Sequence, residues 1–303
     1  MNARLTFYFP HFLMAGWLMA CATPGGSPVD IQGHRGARAR LPENSIPGFV
    51  YATELGVSTL ELDLVSTASG DLIVSHEPWL NPEICLGPDG DTLPPGSKLS
   101  LYQLTADQIR TCDCGSLGNP RFPEQVPQPT YKPTLAEVVG AADAASRPKG
   151  AGPVQFNIEI KHEASRVGTY FPPAAEAARR AVAEIRRLGI ADRTTLQSFS
   201  AEVLEAVHAE APEIGTSWLM EDELTVAEAL ALLTFKPDIY SPHHVLLSPA
   251  EVAVAHEAGV AVVPWTVNEA ARMAELLSWG VDGLISDDPD LALKVAGKSV
   301  QIQ

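Results

Sequence analysis

Three carboxylates occupy positions from which they could bind a metal ion together. Glu61 and Asp63 lie two residues apart near the end of the apolar segment 59–65, and side chains at that spacing in a strand point to the same face. Glu159 lies near the end of a second such segment, 154–160. Ionised groups on a strand interior are costly to bury without partners. Because hard divalent cations prefer oxygen ligands, the pattern predicts a Ca²⁺ or Mg²⁺ site rather than a zinc site.

Two histidines fall where they could exchange protons with a substrate. His34 follows the short segment 30–33, and His76 follows the extended run 72–75. An imidazole titrates near neutral pH, so two of them on either side of one reacting atom could act as general base and general acid. We expect the later histidines mainly to pack or to face solvent: His162, His208, His243, His244 and His256. His162 should point away from the carboxylates, whereas His243 and His244 lie at the end of the barrel where substrate would bind.

The charge balance restricts the possible partners. The 303 residues include 21 basic and 37 acidic side chains, which gives a formal charge of −16. Lys and Arg form no run that could neutralise a phosphate backbone, so we expect no nucleic-acid partner. Since the overall field repels anions, a phosphate-bearing substrate would need local cations. Arg35 and Lys161, which lie next to the candidate residues above, are suited to that role.

The positions of these residues depend on a repeating pattern of strands and helices. Short apolar, β-branched runs predict eight strands, at 30–33, 59–65, 154–160, 194–198, 214–218, 238–241, 261–266 and 283–286. Helical patterns lie between and after them, at 47–55, 135–145, 173–188, 201–209, 226–233, 249–258, 269–279 and 289–295. Three helix starts have the capping-box form: Thr134 with Glu137, Thr225 with Glu228, and Ser248 with Glu251. Eight βα units in succession predict an α/β fold, a (β/α)8 barrel that occupies residues 29–303.

Residues 77–132 do not fit the alternation. This segment, called the insertion below, is rich in Pro, Gly and Asp and has one short helical pattern at 105–111. It follows the second strand and precedes the second barrel helix, so the topology places it over the carboxyl end of the barrel, where active sites of this fold lie. The insertion contains Cys85, Cys112 and Cys114. In an oxidising compartment Cys85 could pair with either of the other two.

Residues 1–28 have the composition of an export signal. A basic start is followed by the apolar run 5–20, which Pro10 and His11 interrupt and which is too short to span a membrane. Residues 18–21 (LMAC) resemble a bacterial lipoprotein processing site, in which Cys21 would become the lipid-modified first residue. Ordinary signal cleavage is the alternative. Both predict an exported protein of the periplasm or cell envelope, with a membrane tether in the first case.

An ordered set of short motifs resembles the glycerophosphodiester phosphodiesterase family. The motifs follow one another as 33–36 (GHRG), 42–45 (PENS), 61–63 (ELD), 75–76 (SH), 133–135 (PTL), 157–161 (NIEIK), 197–199 (QSF), 265–268 (WTVN) and 280–289 (GVDGLISDDP). Each motif alone is modest support, whereas the ordered set is specific. The resemblance implies a barrel, a divalent metal, and hydrolysis of glycerophosphodiesters to glycerol 3-phosphate and an alcohol.

The resemblance also assigns roles by position. Two histidines match the catalytic pair of the family: His34 and His76. Three carboxylates match its metal ligands: Glu61, Asp63 and Glu159. Arg35 matches the phosphate contact, Lys161 would supply a second positive charge, and Trp265 would supply an apolar wall. The chain departs from the family at Glu77, where Asp is usual, and in its long insertion, which bears on the identity of the alcohol.

Two other functions fit the same residues. One is a phospholipase-D-like activity on lysophospholipids or sphingomyelin, since proteins of that kind resemble this family. Exposed apolar residues around Trp79 and Leu80 would favour it, whereas a closed polar roof would favour small deacylated diesters. The other is an envelope lipoprotein that binds phosphoglycerol groups without cleaving them, although the presence of both histidines and all three carboxylates speaks against it.

Overall fold

The computed structural model describes residues 29–146 and 152–298. The predicted signal segment 1–28, with Cys21, lies outside the described residues. Within the two described ranges, no helix combines the length and the apolar composition needed to cross a bilayer.

Eight parallel strands confirm the predicted barrel. With strands numbered along the chain, they are β1 (Asp30–Gly33), β2 (Thr59–Ser66), β6 (Gln155–Ile160), β7 (Thr194–Ser198), β8 (Gly215–Met220), β9 (Ile239–Pro242), β10 (Ala261–Val262) and β11 (Gly283–Ser286). Their hydrogen-bonded order is β10-β9-β8-β7-β6-β2-β1-β11. The first and last strands of the chain therefore lie side by side.

The barrel closes between β10 and β11 through individual hydrogen bonds. Asp282 N donates to Val262 O at 2.9 Å, and Ile285 N donates to Pro264 O at 3.0 Å. Regular pairing in β10 is shorter than the predicted segment 261–266 because Pro264 has no N–H to donate. The barrel is therefore nearly closed rather than continuously paired.

Each barrel strand is followed by a helix. These helices are α1 (Ile46–Leu55), α3 (Leu135–Ser146), α4 (Ala174–Leu188), α5 (Ala201–Glu210), α6 (Val226–Leu230), α7 (Pro249–Glu257), α8 (Ala270–Ser278) and α9 (Pro289–Val295), with α2 (Ala106–Arg110) inside the insertion. Two predicted capping boxes are formed, before α3 and before α6. The third is half formed: Glu251 N donates to Ser248 Oγ, but the Glu251 carboxylate accepts from Val226 N at 2.9 Å, which links α7 to α6.

Alternation along β2 orients the candidate carboxylates. Leu60, Leu62 and Leu64 are buried in the main core of the molecule. Since successive side chains of a strand point to opposite faces, Glu61 and Asp63 face the barrel interior.

The insertion forms a small unit of its own beside the barrel. It is preceded by β3 (Leu72–Val74), which pairs antiparallel with the end of β2. Within it, β4 (Trp79–Leu80) and β5 (Leu99–Ser100) form a two-stranded antiparallel sheet. Its buried side chains form a second core, and a disulfide joins Cys85 to Cys114 while Cys112 is a buried free thiol. Of the two predicted partners of Cys85, Cys114 is the one that pairs.

Candidate active site

A cavity of about 580 Å³ opens at the carboxyl ends of the barrel strands. Seven of the eight site residues predicted from the sequence line it: His34, Arg35, Glu61, His76, Glu159, Lys161 and Trp265. The eighth, Asp63, is buried directly behind them, where it contacts Arg35 and Lys161.

The three carboxylates converge as the strand pattern predicts. The parallel pairing of β2 with β6 places Asp63 opposite Glu159. One oxygen each of Glu61, Asp63 and Glu159 lies within 4.8 Å of the others, and all three residues are buried. Side chains almost one hundred positions apart in sequence therefore form a single cluster.

The electrostatics of this cluster suit a bound cation. Burial and the charge of Asp63 raise the pKa of Glu61 well above its usual range. Burial raises the pKa of Glu159 to about 7, against the opposing effect of Lys161. Burial also opposes the charge of Asp63, but the charges of Arg35, His76 and Lys161 and the hydrogen bond from Asn44 together outweigh it and hold the pKa of Asp63 well below normal. Two of the three carboxylates thus carry an electrostatic penalty that a cation would relieve. Three oxygen donors of this kind fit Ca²⁺ or Mg²⁺.

The turn after β1 has a backbone that only particular residues tolerate. Arg35 and Asn44 have positive φ values of 50° and 52°, and Gly36 has a φ of 86°. A Cβ atom on Gly36 would come within 2.8 Å of the carbonyl carbon of Gly48, so this position requires glycine. The turn aims the backbone N–H of Arg35 at Glu61, to which it donates at 3.0 Å.

The side chain of Arg35 is enclosed by acidic groups. Its Nη1 donates to Glu43 at 2.9 Å, and its Nε lies 3.2 Å from Asp63. Asn44 donates to the same Asp63 carboxylate at 2.8 Å. The sequence motif 42–45 contains both Glu43 and Asn44, but the motif alone did not indicate that they orient the arginine and the carboxylate.

His34 is oriented by a residue from the other end of the chain. Its Nδ1 lies 2.5 Å from Asp287 Oδ1, and its Nε2 lies 3.9 Å from Glu61. Asp287 is held in turn by Asn268, which donates to it at 2.8 Å. Burial opposes ionisation of Asp287, but His34, Arg38 and the hydrogen bond from Asn268 lower its pKa. Burial lowers the pKa of His34. A neutral His34 that donates from Nδ1 to Asp287 presents a free Nε2 to the cavity, as a general base requires.

His76 has a local partner instead. Its Nδ1 lies 3.0 Å from Glu77 Oε1, and its side chain is 33% exposed. Burial would raise the pKa of Glu77, but the hydrogen bond and charge of His76 lower it to about 2. The glutamate that replaces the family's usual aspartate therefore still reaches the imidazole. Burial lowers the pKa of His76, partly offset by Asp63.

Lys161 and Trp265 both line the cavity, and the Phe199 ring lies near each of them. Lys161 Nζ lies 2.8 Å from Glu159 and 3.8 Å from Asp63. Trp265 packs edge to face on Phe199, with ring centroids 5.4 Å apart, and donates from Nε1 to Ser241 O at 2.8 Å. The side of the cavity that Trp265 lines is therefore fixed and aromatic.

An amide network, which the sequence did not reveal, supports the cluster from below. Gln197 donates from Nε2 to Glu61 at 2.8 Å. Asn157 donates to Gln197 at 3.0 Å and to Gln32 at 2.8 Å. These residues lie on β1, β6 and β7 and hydrogen-bond one another in the barrel interior, with Asn157 Oδ1 left without a partner among the described residues.

His162 is placed differently from the expectation. It lines the cavity, and its ring centroid lies 6.0 Å from that of Phe171. Strand β6 ends at Ile160, so the alternation that was used to orient His162 does not extend to it. Among the residues that line this cavity, neither His243 nor His244 occurs; His243 packs on the edge of Trp265 instead.

The insertion forms a side wall of the cavity rather than a complete roof. Only its first three residues, Glu77, Pro78 and Trp79, line the cavity. Of the apolar residues around Trp79 and Leu80, on which the lipid-hydrolysing alternative depends, Leu80 is 1% exposed, whereas Leu99, its partner in the β4–β5 sheet, is 46% exposed.

The far end of the insertion has an unexpected position, against the turn after β1. The guanidinium of Arg38 lies over the ring of Phe122, with Arg38 Cζ 4.7 Å from the ring centroid. Gln125 donates to Arg38 O at 2.7 Å, and Arg38 pairs with Glu43 at 2.8 Å. The insertion therefore supports the residues that hold Arg35.

Comparison with known proteins agrees with this geometry. The model of the glycerophosphoryl diester phosphodiesterase family matches residues 34–291. The glycerophosphodiester phosphodiesterase of Caldanaerobacter subterraneus is 28% identical over 268 residues, which cover 88% of this chain and 96% of that protein. A crystal structure from Silicibacter pomeroyi superposes with a TM-score of 0.80 at 28% identity and covers 88% of this chain and 93% of its own.

One further structure shares the fold at lower identity. It is a phosphodiesterase from Oleispira antarctica, in complex with the product sn-glycerol-3-phosphate, with a TM-score of 0.71, 18% identity, and coverage of 89% of this chain and 97% of that chain. The family match spans most of the sequence and includes the cavity residues described above. The chain belongs to the glycerophosphoryl diester phosphodiesterase family and is a phosphoric diester hydrolase on a (β/α)8 barrel.

Proposed function

We propose that this enzyme hydrolyses glycerophosphodiesters to glycerol 3-phosphate and an alcohol, in a reaction that depends on Ca²⁺ or Mg²⁺. Glu61, Asp63 and Glu159 would hold the cation, and His34 and His76 would transfer protons. The observation that carries the proposal is the placement of the buried carboxylate cluster and both carboxylate-supported histidines on one cavity.

The charge of the substrate explains why these groups are needed. A phosphodiester is an anion that resists attack, and a bound divalent cation would neutralise its oxygens as charge shifts in the transition state. Arg35 and Lys161 would supply further positive charge, since both line the cavity. The net charge of −16 elsewhere makes these local cations necessary.

The histidines would divide the proton transfers. One accepts a proton from the attacking hydroxyl as its oxygen bonds to phosphorus. The other, as an imidazolium, donates a proton to the alcohol oxygen as the bond between phosphorus and that oxygen breaks. Asp287 and Glu77, both with lowered pKa values, remain ionised and stabilise a positive imidazole.

Two nucleophiles are compatible with this arrangement. Water could attack directly, or the neighbouring glycerol hydroxyl could attack first and give a cyclic phosphate that water then opens. A diester in which the 2-hydroxyl of glycerol is replaced by hydrogen separates the two routes. Hydrolysis of that analogue at a comparable rate would favour direct attack, and resistance to cleavage would favour the cyclic route.

The main experiment follows glycerol 3-phosphate release from glycerophosphocholine with EDTA and after restoration with Ca²⁺ or Mg²⁺. We expect release that EDTA abolishes and one of the two cations restores. A protein that binds the metal but cleaves no diester would instead be the non-catalytic phosphoglycerol-binding lipoprotein. Activity unaffected by EDTA would contradict the metal requirement.

The histidine assignment has its own test. His34→Ala and His76→Ala should each lower kcat roughly 10²–10⁴-fold without unfolding the protein, as loss of a general acid or base does. His208→Ala is a matched control, because this histidine stacks on Phe235 and does not line the cavity. Near-wild-type activity in either of the first two variants would remove that histidine from the mechanism.

Small deacylated diesters fit the cavity better than intact lipids do. Leu80 is buried, Trp79 packs against Tyr170, and the exposed Leu99 does not line the cavity, so these residues do not form an apolar entrance to it. We therefore expect a higher kcat/KM for glycerophosphocholine than for lysophosphatidylcholine. The reverse preference would favour the phospholipase-D-like activity.

We also propose that the enzyme is exported, with Cys21 as a possible lipid anchor. The disulfide between Cys85 and Cys114 supports an oxidising compartment. Fractionation of cells that express the full chain should place the protein in the membrane fraction, and Cys21→Ser should release it if that residue is lipid-modified. Recovery of the wild-type chain from the cytoplasm would contradict export.

A further inference from the structure

The cavity wall beside His76 has features that the proposed metal site and proton transfers do not use. Pro78 and Trp79 continue the chain from His76, and Arg166 and Phe171 from the β6–α4 connection complete the wall. Since His34 has the geometry of the general base, His76 would be the histidine that protonates the departing alcohol, and this wall is a candidate contact surface for that alcohol.

The two segments of the wall are fixed to each other. Strand β5 pairs Ser100 with Trp79, and Ser100 Oγ donates to Thr169 O at 2.6 Å. Trp79 and Tyr170 pack edge to face with ring centroids 5.6 Å apart. Arg166 lies in the same connection as Thr169 and Tyr170, so its position relative to Trp79 is defined by these contacts.

Two cations lie close to the Trp79 ring. Lys98 Nζ is 4.6 Å from the ring centroid, and Arg166 Cζ is 5.8 Å from it. Arg166 also pairs through Nε with Glu163 at 2.9 Å, which leaves its guanidinium tip as the part that an incoming acceptor would meet. A quaternary ammonium group binds best to an open aromatic face, and here it would encounter two like charges.

The acidic residues on the cavity rim near this wall are themselves paired with cationic or histidine side chains. Glu163 is paired with Arg166, Glu77 is paired with His76, and Glu221 follows the end of β8, a strand that does not contribute to this wall. Because Glu163 offsets part of the charge of Arg166, the positive charge beside Trp79 comes from Lys98 and from the exposed guanidinium tip of Arg166, in a chain whose formal charge is −16.

We propose that Trp79 and Arg166 form a subsite for the leaving alcohol, that Lys98 adds positive charge from outside the cavity lining, and that the subsite favours alcohols that carry a second anionic group, such as another phosphodiester. The inference rests on the proposed function. The substrates that best match it are diesters in which the alcohol itself bears phosphate.

Three substrates with one common scissile unit test the preference. Bis(glycerophospho)glycerol has an anionic alcohol, glycerophosphoglycerol has the same alcohol without the second phosphate, and glycerophosphocholine has a cationic alcohol. The initial rate of sn-glycerol 3-phosphate release, counted per scissile bond, gives kcat/KM for each. We expect the ratio of kcat/KM for bis(glycerophospho)glycerol to kcat/KM for glycerophosphoglycerol to be roughly three to ten at low ionic strength, because solvent-accessible charge pairs contribute about that much. This ratio should shrink as salt is added.

Substitutions of Arg166 and Lys98 test whether the charge of these residues causes the substrate preference. Arg166→Gln should bring the ratio close to one, and Arg166→Lys should keep most of the preference. Lys98→Gln, at an exposed position, should lower the ratio less. Arg187→Gln is the matched control, because Arg187 also pairs with a glutamate three residues earlier, Glu184, but does not line the cavity. It removes the same charge and should leave the ratio unchanged.

The outcomes distinguish this inference from the proposed function. If none of the diesters releases glycerol 3-phosphate, the proposed function fails. If all are cleaved but the ratio is one in the wild type, or Arg166→Gln and Arg187→Gln change it equally, the subsite is overturned while the proposed function stands. A preference for glycerophosphocholine that Arg166→Gln does not alter would also overturn the subsite.

Discussion

The two histidines of the cavity are held by regions of very different construction. On the barrel side, His34 pairs with Asp287 across 253 positions of sequence, and its side chain is 11% exposed. On the insertion side, His76 pairs with its neighbour Glu77, and its side chain is 33% exposed. Water can replace a lost partner more easily on the insertion side. The barrel side should therefore tolerate substitution less well, and four changes test this difference.

The largest effect should come from the carboxylate cluster on the barrel side. Asp63→Asn removes a buried ligand charge, and loss of the metal's contribution costs several kcal/mol of transition-state stabilisation, roughly 10³-fold or more in kcat/KM. Calorimetric titration with Mg²⁺ or Ca²⁺ should show weakened binding in parallel. Asp192→Asn, at an exposed position before β7, controls for the charge change. Unchanged metal affinity and activity in Asp63→Asn would contradict the site.

The histidine partners give the direct comparison. Asp287→Asn should lower kcat roughly 10²–10⁴-fold, because a buried histidine loses the group that sets its tautomer. Glu77→Gln should cost only about tenfold, since solvent reaches His76. In a His34→Ala background, Asp287→Asn should add little further loss, because the two residues act as a unit. Equal losses in the two single variants would remove the difference between the regions.

The disulfide should affect stability more than catalysis. Cys85→Ser opens a loop with a sequence separation of 29, and loss of such a bond typically costs about 2–4 kcal/mol of unfolding free energy. We expect easier proteolysis within residues 77–132 and a smaller change in kcat. Cys112→Ser, at the free buried thiol, is the control and should not open the loop. A large loss of kcat with unchanged protease resistance would mean that the disulfide acts on the cavity directly.

The smallest effect should appear in the pH dependence of the metal-free protein. The pKa of Glu159 rises from an ordinary 4.5 to about 7 on folding. The folded state then binds this proton more tightly than the unfolded chain, so the contribution to stability is full below about 4.5 and is lost as pH rises towards about 7. Bound metal should offset that loss. The increase in Tm on metal addition should therefore grow across this window, and Glu159→Gln should reduce the growth, with the remainder due to Glu61, whose pKa is also raised.

Much of the architecture could be predicted from local sequence pattern. The predicted bounds of β1, β7 and β11 agree with the structure, because short β-branched runs between turn residues are local signals. The period of two likewise placed Glu61 and Asp63 on one face. Beyond the end of a strand the pattern says less: it did not indicate that His162, which was expected to point away from the carboxylates and which follows the end of β6, lines the cavity.

The sequence by itself determined the eight βα units, the residue types of the site and the face on which each strand residue lies, since these follow from spacing along one segment. Only the tertiary structure decided which residues from distant segments meet. Barrel closure brings β11 next to β1 and thereby Asp287 to His34, and the turn after β1 brings Asn44 to Asp63. Strand register and closure result from packing of the whole chain, so no local pattern records them.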